Sequence, residues 1–166
     1  MNEIHVVHPF EPIFDSRSRM LVLGSLPSVL SRKNNFYYGN PQNRFWRVVA
    51  AVFSQPTPET IEDKTALLLR CGIALWDVVA QCDVVGSSDA SIRNVTPTDL
   101  SRIFDAARVE AVFANGRTAA KHYEKYQMPL YGRPIVTLPS TSPANAAWSL
   151  ERLCGAWRIL AEKPPR

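Results

Sequence analysis

At 166 residues, 46% hydrophobic and 20% charged, the chain has the composition of one soluble globular domain spanning residues 1–166. A chain of this length can bury roughly 70% of its unfolded surface. No apolar run approaches the roughly 20 residues of a membrane span, and the N-terminus, with Glu3, His5, His8, Pro9 and Pro12, lacks the order of a signal peptide, so a cytoplasmic protein is expected. The net charge is +4, but residues 16–58 carry six Lys or Arg and no acid, so the positive excess is local. Cys71, Cys82 and Cys154 are odd in number and show no CxxC spacing, which argues against zinc or iron–sulfur ligation and against a disulfide framework. Reduced, buried thiols are expected. His5, His8 and His122 have no metal-like spacing and are read as surface or structural.

Met20–Gly24 is a short apolar run closed by glycine and reads as a buried strand. Phe45, Trp46, Val49, Val52 and Phe53 recur at helical spacing, ending near Ser54. Thr57-Pro58-Glu59 has the form of a cap, a first-turn proline and an early acid. It predicts a helix to Arg70, stopped at Gly72. Ile73–Val79 reads as a second strand, with Asp77 a candidate for hydrogen-bonded structure. Residues 81–95 read as a loop around Gly86-Ser87-Ser88-Asp89, with Asp89 and Asn94 possible liners of a site. Thr96-Pro97-Thr98-Asp99 repeats the cap pattern and predicts a helix to about Arg108. Val109–Ala114 is a third strand, Thr118–Tyr126 a helix and Pro134–Leu138 a fourth strand. Ser142-Pro143 predicts the start of a last helix reaching about Ala161, and the tail from Lys163 is expected to fray. Trp46, Trp148 and Trp157 fall at helical spacing among apolar neighbours and are read as core.

Alternating short strands and helices predict an α/β fold with a parallel sheet covered by helices on both faces. Ligands in such folds bind beyond the carboxyl ends of the strands. Three strands end there in polar loops: Gly24-Ser25, Asn115-Gly116 and Pro139-Ser140-Thr141-Ser142. The first loop is the richest. Gly24 permits close approach of a ligand, and Pro27 stiffens the turn. Tyr37 and Tyr38 are stacking faces or core anchors. Asn40 and Asn43 can donate and accept together, or form turns and caps. Ser140, Thr141 and Ser142 sit on a stiff strand-to-helix turn suited to a phosphate. Flat rings, amides and positive charge together suit an anionic polymer bearing planar bases. Walker A, GxSxG and GxGxxG patterns are absent.

Gly24-Ser25-Leu26-Pro27-Ser28, Tyr37-Tyr38-Gly39-Asn40-Pro41-Gln42-Asn43-Arg44-Phe45-Trp46 and Leu138-Pro139-Ser140-Thr141-Ser142-Pro143 resemble the two active-site motifs of the uracil-DNA glycosylase superfamily. The likeness is greatest to its hypoxanthine-DNA glycosylase branch, with the mismatch-specific uracil/thymine-DNA glycosylases next. It implies a three-layer αβα sandwich with a central four-stranded parallel sheet. It also implies a monomer that flips a deaminated base out of DNA and cleaves its N-glycosidic bond, with no metal or organic cofactor and no obligate protein partner.

The resemblance further implies roles. Asn43, or Asn40 in second place, positions the attacking water. Gly24, Ser25, Leu26, Pro27, Tyr37, Tyr38 and Asn115 surround the base, with Tyr38 stacking on it. Arg32, Lys33, Arg44, Ser140, Thr141, Ser142, Pro143 and Ala144 meet the DNA backbone or the vacated gap. Leu26 stands where the mismatch-specific enzymes carry a water-activating Asn, and Ala144 where a leucine wedge is usual. Two rivals follow: a module that binds damaged or single-stranded DNA without cutting, and a doubly wound enzyme acting on a small nucleotide or nucleoside.

Overall fold

The computed structural model describes residues 2–86 and 88–162. Four parallel strands form the central sheet: β2 (Met20–Gly24), β3 (Ile73–Asp77), β6 (Ala111–Asn115) and β7 (Ile135–Leu138), in the order β3-β2-β6-β7. Every residue of β2 and β3 is buried, as expected for strands covered on both faces. The chain leaves β2 for one neighbour, β3, and later returns to the other side as β6. The switch point therefore lies between the carboxyl ends of β2 and β6, at Gly24 and Asn115.

The helices are α1 (Val29–Asn34), α2 (Phe45–Val52), α3 (Ile61–Arg70), α4 (Ser101–Phe104), α5 (Arg117–Tyr126), α6 (Met128–Tyr131) and α7 (Leu150–Trp157). α3 packs on β3, α5 on β6 and β7, and α2 on α7. Phe45, Trp46, Val48 and Val49 bury one face of α2 in the main core, with Trp157 of α7 at 0% exposure against Phe45. No helix is long and apolar enough to cross a membrane among the described residues.

A second sheet departs from expectation. β1 (Ile4–Val7), β4 (Val79–Val84) and β5 (Arg93–Pro97) pair antiparallel in the order β1-β4-β5. The segment 81–95, expected as a loop, thus begins in β4 and ends in β5, with a short 3₁₀ turn at Asp89–Ser91 between them. Register shifts between Val79 and Gln81, and again between Gln81 and Asp83, break the two-residue alternation that marks a strand. Thr96-Pro97 lies in β5 and caps nothing; the Thr98 hydroxyl bonds the carbonyls of Asp77 and Val78. The helix expected from Thr57 begins after Thr60, whose hydroxyl accepts from Asp63 N. The last helix is capped by Ser149, not Ser142, and residues 139–149 stay outside helix and strand. α1, capped by Ser28, was not anticipated. The tail from Lys163 lies outside the described residues. Trp46 and Trp157 are core, whereas Trp148 is half-buried under Arg152. Cys82 is buried and Cys71 and Cys154 are half-buried, all as free thiols.

Candidate active site

A cleft of about 280 Å³ opens at the switch point. The loop after β2 forms one wall with Gly24, Ser25, Leu26 and Pro27. Tyr37, Tyr38 and Asn43 come from the segment leading into α2. Ser140, Thr141, Ser142 and Ala144 come from the loop after β7, and Asn115 from the end of β6. The ring-bearing loop and the hydroxyl-bearing loop therefore face one another across a single cavity.

Thr141, fully buried, is the knot that ties these elements together. Its N–H donates to Asn115 Oδ1 at 3.0 Å, and its carbonyl accepts from Arg44 N at 3.1 Å. Its hydroxyl accepts from Asn115 Nδ2 at 3.0 Å and donates to Asn43 Oδ1 at 2.8 Å. Asn43 Oδ1 also accepts from Phe45 N, the first N–H of α2. A backbone N–H can only meet an oxygen, so this bond fixes the amide orientation. Asn43 lines the cleft, and its Nδ2 group has no partner among the described residues.

The two tyrosines diverge. Tyr37 is a core anchor at 2% exposure: its hydroxyl donates to Glu11 O and its ring packs edge-on against Phe10 and Phe36. Tyr38 has φ +52°, an unusual backbone for a bulky residue. Its ring stacks on Phe45 at 4.2 Å, leaving only the opposite face for a ligand. Asn115 Nδ2 donates to the Tyr38 hydroxyl oxygen at 3.1 Å. Burial first, and then the nearby Asp77 charge, pushes both phenols up, so both rings stay neutral.

Other expected site residues lie elsewhere. Asn40 is a turn former: its side chain accepts from Gln42 N and its carbonyl from Asn43 N, and it does not line the cleft. Arg32 reaches the carbonyl of Gly86. Lys33 is exposed on α1, outside the cleft lining, and the half-buried Pro143 also stands outside that lining. Arg44 is committed within the protein: its guanidinium donates to the carbonyls of Ser142, Asn145 and Trp148. It therefore braces the loop that carries Ala144. Asn94 bonds Asp83 on the small sheet and stays out of the cleft, whereas Asp89 lines it.

The sequence marks Asp77 only as a candidate for hydrogen-bonded structure and His8 as surface or structural. Asp77 ends β3 and lines the cleft beside Gly24. His8, 69 residues earlier, bonds Asp77 Oδ2 at 2.7 Å. Such a pairing leaves no local sequence signal. Gly116, Arg117, Thr118 and Ile92 also line the cavity. No group of three His, Cys, Asp or Glu side chains able to hold a metal ion occurs among the described residues.

Fold and site define an α/β protein with a base-sized, amide-lined cleft at its switch point. A profile of the Uracil DNA glycosylase superfamily matches residues 11–161, and the chain belongs to that superfamily. It is 34% identical over 147 residues to a protein of Methanosarcina acetivorans named hypoxanthine DNA glycosylase, covering 86% of this chain and 90% of that one. A protein of the same name from Methanosarcina barkeri is 30% identical over 138 residues, covering 82% and 86% respectively. A solution NMR structure from Methanosarcina acetivorans, described as a candidate uracil DNA glycosylase, superposes with a TM-score of 0.77 at 32% identity. It covers 92% of this chain and 97% of its own.

Proposed function

We propose that this protein is a monofunctional DNA glycosylase that flips a deaminated base, hypoxanthine foremost, into the cleft and hydrolyses its N-glycosidic bond. The observation that carries this reading is the fixed Asn43 amide in the cleft wall, its Oδ1 held by Phe45 N and Thr141, which leaves the N–H₂ group free for a ligand. Water adds to C1′ while the C1′–N electron pair leaves with the base. Asn43 positions that water or the base. Tyr38 offers its free face to the flipped ring, and backbone groups near Ser25 and Leu26 meet charge developing on the departing base. Ser140 and Ser142 grip the flanking backbone, and the exposed Lys33 adds salt-dependent affinity. Thr141 and Arg44 act through other residues and are positioning residues. No lysine lines the cleft among the described residues, which supports base removal without strand cleavage by an amine nucleophile. The protein acts as a single-domain monomer in the cytoplasm.

The test is base release from duplexes carrying hypoxanthine, uracil or xanthine, read as alkali-labile abasic sites. Hypoxanthine release is the expected result. Tight binding with no abasic product from any lesion would mean a binding module instead.

Gly24 gives a second test. A Cβ there would sit 2.3 Å from Asp77 Oδ1 and 3.0 Å from the Tyr38 hydroxyl. Asp77 is held by His8, so it cannot swing aside freely. Gly24→Ala should lose at least ~30-fold in base release, with only the ~1–3 kcal/mol of destabilisation typical of overpacking. A variant as active as the parent would show that this floor of the cavity does not meet the substrate.

A further inference from the structure

Two serines outside the chemistry described above line the cleft: Ser28, the half-buried cap of α1, and Ser31 within that helix, at 2% exposure. Ser31 Oγ accepts from Gly39 N at 2.9 Å. Ser28 Oγ accepts from Ser31 N at 3.1 Å, and the two hydroxyl oxygens are 3.1 Å apart. Two rotatable hydroxyl hydrogens serve one bond between those oxygens, so one hydrogen is left over. If Ser28 donated, the Ser31 hydrogen would be buried with no acceptor among the described residues. Leaving the Ser28 hydrogen in an open cleft costs less. Ser31 therefore donates to Ser28 and fills its second lone pair. Ser28 becomes a donor and not an acceptor, at the end of a chain from Gly39 N through Ser31 that polarises it.

We propose that Ser28 donates to the imidazole nitrogen N7 of a flipped purine and so favours purine over pyrimidine lesions. This rests on the flipped base of the reading above and names the class of base the cleft takes. Ser31 grips the residue that follows Tyr38, which places the serine pair beside the ring offered for stacking. The neighbouring walls are apolar. Leu26 and Ile92 pack on the small-sheet cluster that contains Val84, and all three line the cleft with Pro27. Asp89 lines it too, on the same turn as Ile92, whose N–H bonds the Asp89 carbonyl. An acid there repels a phosphate oxygen but not a neutral ring nitrogen. A purine exceeds a pyrimidine by a five-membered ring whose outer edge is one apolar C8–H and one acceptor, N7. That edge matches apolar walls holding one donor. Uracil carries a C–H where the purine carries N7, and it leaves the Ser28 hydroxyl unpaired. Adenine and guanine share N7, so Ser28 selects the ring system and not the deamination.

The experiment measures binding to duplexes holding 2′-fluoro-2′-deoxyinosine, whose fluorine keeps the glycosidic bond intact. It compares this with the 7-deaza and 3-deaza analogues, in which one ring nitrogen is replaced by C–H. The parent should bind the 7-deaza duplex about 10-fold more weakly, the scale of one neutral hydrogen bond, and the 3-deaza duplex within about 2-fold. In Ser28→Ala the preference for N7 should shrink to within about 2-fold. That variant also loses the bond from Ser31 N. A purely structural role would weaken all three duplexes by one factor and keep their ratios, and that result overturns the proposal.

Ser28→Cys answers independently if the alanine variant does not fold. It fills the same space with a weak donor, so the N7 preference should again collapse. A Ser28→Cys protein with the parent's full preference overturns the assignment to Ser28. A parent that loses affinity for the 3-deaza duplex and not for the 7-deaza one overturns the choice of N7. A parent that prefers N7 yet releases no base from any lesion overturns the glycosylase function and leaves this recognition standing. A parent that releases hypoxanthine and is indifferent to N7 overturns this proposal alone.

Discussion

Asn43→Ala is expected to lower hypoxanthine release about 100-fold, the scale seen when one fixed polar group is removed from a hydrolytic site. The protein should remain folded. The side chain also accepts from Phe45 N at the start of α2, so losing it should cost about 1 kcal/mol, the usual net worth of one hydrogen bond. Asn43→Asp separates the two roles. Its carboxylate still accepts from Phe45 N and from the Thr141 hydroxyl, so the melting temperature should match the parent. It lacks the cleft-facing N–H₂ group, so release should fall as far as in the alanine variant. Duplex binding should change little in either variant, because no contact outside the cleft is touched. Asn40→Ala is the control, since that side chain bonds Gln42 N and stands away from the cavity. A dead Asn40→Ala beside an active Asn43→Ala would reverse the assignment.

The parts of this site that were legible in the sequence are those written in neighbouring residues. Met20–Gly24 is apolar throughout and closes on glycine, so the strand and the close approach at its end follow from the string itself. The gathering of Gly24, Asn115 and Ser140 at one sheet edge follows from parallel topology. What could not be read depends on bonds between distant residues. His8 and Asp77 are 69 apart, and Thr141 and Asn43 are 98 apart. Tyr37 and Tyr38 are alike in sequence, yet one enters the core and the other, at φ +52°, turns onto Phe45.

Ser142-Pro143 shows a different limit. A serine hydroxyl that accepts from an N–H two residues on forms a turn; at a helix start the same chemistry forms a cap. Ser142 accepts from Ala144 N and Ser140 from Ser142 N, so the stretch is a series of turns, and the helix waits for Ser149. The small sheet was hidden because its bulges erase the alternation that would have announced it.

Arg44→Ala should lower base release about 10-fold or more while leaving the salt dependence of DNA binding unchanged. Position in a basic, acid-free segment suggests a phosphate contact, and a residue that neutralises one phosphate contributes about 0.9 to the slope of log K against log salt. The geometry assigns the guanidinium otherwise, because it is divided among the carbonyls of Ser142, Asn145 and Trp148. Three acceptors at different angles match the planar fork of Arg and not the single ammonium of Lys, so Arg44→Lys should recover little. Losing the brace frees the loop that carries Ser140 and Ala144, which reduces the fraction of encounters in which the flipped base is held. That loss appears in the rate of release at saturating protein, not in the counterion count. The slope and the lysine rescue are measured by binding titrations between about 50 and 200 mM salt alongside single-turnover release. A slope reduced by about one unit, together with recovery in Arg44→Lys, would return Arg44 to the DNA backbone and leave the 140–148 loop braced by Thr141 and Asn145 alone.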